Sequence, residues 1–101
     1  MKEFIIDFTN IKDDSNAKIF DNFYRTIING LEFPDWCGDN LDAIWDLITG
    51  YMYTPATIKV KGFRTLPKIM NEKGELFLET LAEAKKWHQK INSEIQIEFI
   101  D

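Results

Sequence analysis

Between Thr26 and Ile58 the chain carries five acids, Glu32, Asp35, Asp39, Asp42 and Asp46, and not one lysine or arginine. The spacing of these carboxylates does not alternate as calcium ligands do along a binding loop. One cysteine, Cys37, and one histidine, His88, make no zinc site, and five scattered glycines make no phosphate loop. A Cys37–His88 nucleophile pair would need the fold to bring together two residues far apart in the chain. His88 also falls on an apolar helical stripe, where a packed or capped histidine is the simpler expectation. What remains is negative charge presented to something basic.

Helical spacing sharpens that view. On a wheel at about 100° per residue, Leu41, Ile44 and Ile48 cluster on one side, and Asp39, Asp42 and Asp46 on the other. Trp45 flanks the acids, beside Asp42. Asp39 and Asp42 are explained locally, because acids near a helix N-terminus cap it and suit its dipole. Asp46 is not. It meets the negative end of the dipole and a like charge, Asp42, four residues before it. Each effect costs a few tenths of a kcal/mol, so local stability would favour a lysine there. A second ladder of acids, Glu75, Glu79 and Glu83, follows later, softened by Lys73, Lys85 and Lys86. Trp36, between Pro34 and Gly38, is either a core plug or an interface anchor.

The elements that must hold these residues follow from periodicity. Phe4, Ile6 and Phe8 share one face of a first strand. Asp13, Asp14 and Ser15 offer N-caps to a helix with the stripe Phe20, Phe23, Tyr24, Ile27, Ile28 and Leu31, with Gly30 near its end. Glu32 to Asp39 is irregular. A second helix runs from Asn40 to Thr49 and stops at Gly50. Residues 56–61 alternate as a strand, a short turn or helix occupies 63–66, and a long helix spans 71–90. That helix has Phe77, Leu81, Ala84, His88 and Ile91 on its inner stripe. A last strand, 94–100, turns Ile95, Ile97 and Phe99 inward. Long crossovers suit parallel strands and are right-handed, and alternation buries one sheet face only. The expected fold is α/β: a three-stranded parallel sheet with its helices on one face, in two layers.

Composition sets the outer bounds. The 101 residues carry 12 basic and 17 acidic side chains, a net charge of −5, with 45% hydrophobic and 14% aromatic residues. That suffices for a single domain over residues 1–101 that buries about two thirds of its unfolded surface. The acidity argues against nucleic acid and anionic membranes as partners. A lone cysteine permits no internal disulfide. Three consecutive apolar residues near the start fall short of a signal peptide, and no run approaches the ~18 of a membrane span. The expectation is a soluble protein of the reducing cytoplasm.

The segment from Phe33 to Tyr51 (FPDWCGDNLDAIWDLITGY) closely resembles the signature of the barstar family, small intracellular inhibitors of ribonucleases such as barnase. The likeness extends more weakly over the rest of the chain. It implies the same three-stranded parallel sheet. It also implies that Asp46 enters a ribonuclease active site in place of substrate phosphate, among cationic side chains and the catalytic histidine. Asp42 would meet one arginine of the enzyme and Glu83 another. Trp36 stands where the family has a tyrosine that packs on that histidine. Gly38, Asn40, Trp45, Thr49 and Gly50 fall in or beside the contact surface. Trp36 and Cys37 each replace a tyrosine, which suggests a partner whose rim differs from that of barnase; Leu47 stands where the family has a cysteine.

The resemblance therefore implies an immunity protein that blocks a basic, barnase-like ribonuclease one to one, with no catalysis and no cofactor. The alternative is an acidic interaction module on the same fold, facing another basic partner such as a nuclease toxin of different structure. A small hydrolase using Cys37 is the remote third.

Overall fold

The computed structural model describes residues 1–11 and 18–100. The elements run β1 (Lys2–Asp7), α1 (Ile19–Gly30), α2 (Leu41–Gly50), β2 (Ala56–Lys61), α3 (Asn71–Lys90) and β3 (Ile95–Ile100). Two 3-10 turns, Phe63–Thr65 and Lys68–Met70, lead into α3. The expected caps Asp13, Asp14 and Ser15 lie outside the described residues. Gly50 closes α2 as its last residue, one position later than its sequence suggested.

The sheet is parallel throughout, in the order β1-β2-β3. Its register aligns Phe4 with Ile58 and Ile97, and Ile6 with Val60 and Phe99. Those residues make the face turned to the helices. Phe4, Ile6, Ile58, Val60 and Ile95 are buried there, while Glu3 and Ile5 on the other face are exposed. On that outer face Lys59 pairs with Glu3 at 3.2 Å. The two-layer expectation holds because right-handed crossovers in one direction put every helix on the same side.

Aromatic rings bind the layers together. Phe8 stacks on Phe23 of α1 at 5.4 Å, and Phe77 of α3 meets both edge-on at 6.1 and 6.3 Å. All three are fully buried, and such pairs each contribute about 0.5–1.5 kcal/mol beyond their burial. Two residues depart from the expected core. Phe99 points to the helix side yet is 56% exposed, because β3 is an edge strand and the helical layer does not reach its end. Ile91 caps α3 rather than extending its stripe, and is exposed.

Candidate functional site

The acidic helix is held at both ends. Asn40, in extended conformation, begins α2, and its side-chain oxygen accepts from the Ala43 amide at 2.7 Å. That bond satisfies one of the donors a helix start leaves unpaired. At the other end, Nε2 of buried His88 donates to the Ile48 carbonyl at 2.8 Å. A helix ends with unpaired carbonyls, so α3 caps α2 through a histidine. This is the packed, capped histidine that the stripe suggested. Between the caps, Ile44, Leu47 and Ile48 are buried and Leu41 is half-buried. Leu47 joins the inner side beyond the wheel's three residues.

The opposite side of α2 faces solvent. Asp42 and Asp46 are exposed, and among the described residues neither carboxylate has an ion pair or hydrogen bond. Asp39 is different. Arg25, one residue before the cation-free window, reaches across from α1 and pairs with its carboxylate. The acidic stripe is therefore not unbroken: Asp39 is neutralised, and the free charge is at Asp42 and Asp46. Sequence spacing missed Arg25 because it lies on another element.

The fold also brings Glu83 to this surface. Leu41, Asp42, Trp45, Thr80 and Glu83 line a shallow depression of about 340 Å3 between α2 and α3. Glu83 is exposed, with Lys86 a loose 4.0 Å away. The other rungs of its ladder, Glu75 and Glu79, take no part in the depression. Thr49, by contrast, turns its hydroxyl back on the helix, donating to the Trp45 carbonyl at 2.9 Å. A side chain at Gly38 would press on the Asn40 amide at 3.0 Å, whereas one at Gly50 would meet nothing within 4 Å.

Trp36 is 72% exposed, which rules out a core plug. Its indole meets Tyr51 edge-on at 6.4 Å, and Tyr51 meets Phe33 the same way at 6.0 Å. Trp36 thus stands beside the C-terminal end of α2. Tyr51, half-exposed between these rings, was not among the sequence candidates, although its place after Thr49-Gly50 was the available signal. Cys37 turns the other way and is buried. Burial pushes its thiol up, against the opposing influence of Arg25, which disfavours the thiolate that a nucleophile needs. The Cys37 thiol turns to the Gly38 carbonyl at 3.6 Å, and His88 bonds Ile48 through Nε2 while its buried Nδ1 has no partner among the described residues, so Cys37 and His88 are not hydrogen-bonded as a catalytic pair.

Against known proteins, a model of the family described as "Barstar (barnase inhibitor)" matches residues 1–99. The chain belongs to the barstar family. A relative from Bacillus subtilis (strain 168), named "Putative ribonuclease inhibitor YrdF", is 31% identical over 86 residues, covering 85% of this chain and 88% of the relative. At the level of the family, then, the function is ribonuclease inhibition, and the family's members are inhibitors rather than enzymes. Among the described residues, no helix of this barstar-family chain is long and apolar enough to cross a membrane.

Proposed function

We propose that this protein inhibits a basic, barnase-like ribonuclease one to one, by seating the exposed face of α2 in the enzyme's active site. The observation that carries the proposal is Asp46: exposed, unpaired, and set in the C-terminal half of a ten-residue helix, four residues after the like charge of Asp42, where its own charge is locally unfavourable. A ribonuclease cleft is cationic because it binds phosphate, and a carboxylate on a rigid helix can occupy that place with charge-assisted hydrogen bonds. Asp42 and, across the depression, Glu83 would each meet a further cation. Trp36 would stack on the rim as an aromatic anchor, with Gly38, Asn40, Trp45, Thr49 and Gly50 in or around the contact.

In this role a single domain over residues 1–101 acts in the cytoplasm as an immunity protein. It uses no catalytic group and no cofactor, and binds neither nucleic acid nor membrane. Inhibition assays over a panel of ribonucleases that includes barnase test the proposal, run beside Asp46→Asn. Expected is stoichiometric inhibition that Asp46→Asn largely abolishes. Inhibition that survives the substitution would overturn the phosphate-mimic role. Tight capture of a basic nuclease of another structure, with no ribonuclease inhibited, would favour the broader interaction module.

A further inference from the structure

We propose that Arg25 is a positioning residue of the docking surface, locking the 34–40 loop in its bound shape before the ribonuclease arrives. The inference rests on the function proposed above and deepens it. Arg25 sits on α1, and its guanidinium makes two kinds of contact with one short stretch of the loop. It donates to the Cys37 carbonyl at 2.7 Å and pairs with the Asp39 carboxylate. A planar fork that satisfies a carbonyl and a carboxylate together fixes direction as well as distance.

The remaining hydrogen bonds of the loop are short-range. Cys37 donates to the Pro34 carbonyl at 3.0 Å, and Asn40 to the Gly38 carbonyl at 2.9 Å. Arg25 supplies the polar tie to α1, while the buried Cys37 side chain anchors the loop from below. Trp36 precedes that anchored residue, so the clamp sets where its indole projects. Ordering a loop on binding costs affinity, and a loop ordered beforehand avoids the cost.

Charge gives the proposal a distinguishing sign. A cation beside an acidic docking face opposes attraction to a basic partner. If Arg25 were only a surface charge, its loss would speed association and tighten the complex. A positioning role requires the reverse for the lifetime of the complex: faster encounter, yet faster release.

Arg25→Met removes the fork and keeps an apolar stem, Arg25→Lys keeps the charge without the fork, and Asp39→Asn weakens the clamp from its other side. Nitrogen-15 relaxation of amides 36–39 and of the Trp36 indole reports loop order in the free protein. Stopped-flow mixing with barnase gives the rates. In Arg25→Met the loop amides should fall from rigid-backbone order parameters to below about 0.6. Barnase should associate no more slowly and dissociate roughly 10-fold faster. Arg25→Lys and Asp39→Asn should lie between Arg25→Met and the parent. Undiminished loop order in Arg25→Met, or dissociation unchanged or slower, would overturn the proposal. The relaxation measurement needs no ribonuclease. A parent protein that ignores barnase therefore counts against the proposed partner, while loop order still upholds or overturns the clamp.

Discussion

Asp46 and Trp36 share an unusual property: each is placed at some cost or no benefit to the free protein. Asp46 has a like charge four residues before it and the carbonyl end of α2 after it. Asp46→Ala should therefore leave folding stability unchanged or raise it by up to about 1 kcal/mol, through helix propensity and relieved repulsion. The same change should weaken the ribonuclease complex by about 2–5 kcal/mol, because it strips one partner from buried charges. Denaturant melts and titration calorimetry measure the two halves separately, and a large loss of folding stability would contradict the assignment. Trp36, exposed and edge-on to Tyr51, contributes little to the core. Trp36→Ala should shift folding stability by no more than about 0.5 kcal/mol, while costing a stacked complex about 2 kcal/mol. Paired melts and binding isotherms decide it.

At the scale of elements, two helical glycines give opposite tests. A Cβ at Gly30 would lie 2.5 Å from the Ile5 carbonyl oxygen and 2.9 Å from the Ile6 Cα, so α1 packs on β1 through backbone contact. Gly30→Ala gains helix propensity but must push α1 off the sheet, and should destabilise by about 1–3 kcal/mol. At the end of α2, Gly50 has open space around it. Gly50→Ala should stabilise the free protein by a few tenths to about 1 kcal/mol. Thermal melts of both variants should move in opposite directions. If the partner's backbone approaches α2 closely at this end, Gly50→Ala will also weaken binding, and no folding defect can account for the loss.

For the molecule as a whole, the relevant quantity is the net charge of −5 and where its free part is displayed. Arg25 neutralises Asp39, so Asp42, Asp46 and Glu83 carry the attraction on the proposed docking face. Their field extends about 30 Å at 0.01 M salt and about 8 Å at physiological strength. Association with a basic ribonuclease should slow markedly across that range, while dissociation changes less, since contact pairs are poorly screened. Stopped-flow rates over a salt series check this. An association rate indifferent to salt would mean that the acids do not face the partner.

Much of this architecture was legible in the sequence, because its determinants are local. Periods of 2 and 3.6 mark strands and helices, crossover length suits parallel pairing, and alternation leaves one sheet face for the helices. His88 as a packed histidine and the exposed acids of α2 follow from the same local chemistry, whereas the cap of α2 falls to Asn40 and not to Asp39, which pairs with Arg25. Tertiary structure alone decided the rest. The irregular 34–40 loop has no period to say that Trp36 faces out and Cys37 in. Alternation tells which face Phe99 occupies but not whether anything covers it at the edge of the sheet. Asp39 loses its free charge to an arginine of another helix, and Glu83 reaches Asp42 and Trp45 only where α3 packs on α2. Backbone geometry within one element is fixed by neighbours in sequence, whereas charge pairing and exposure depend on which elements the core brings together.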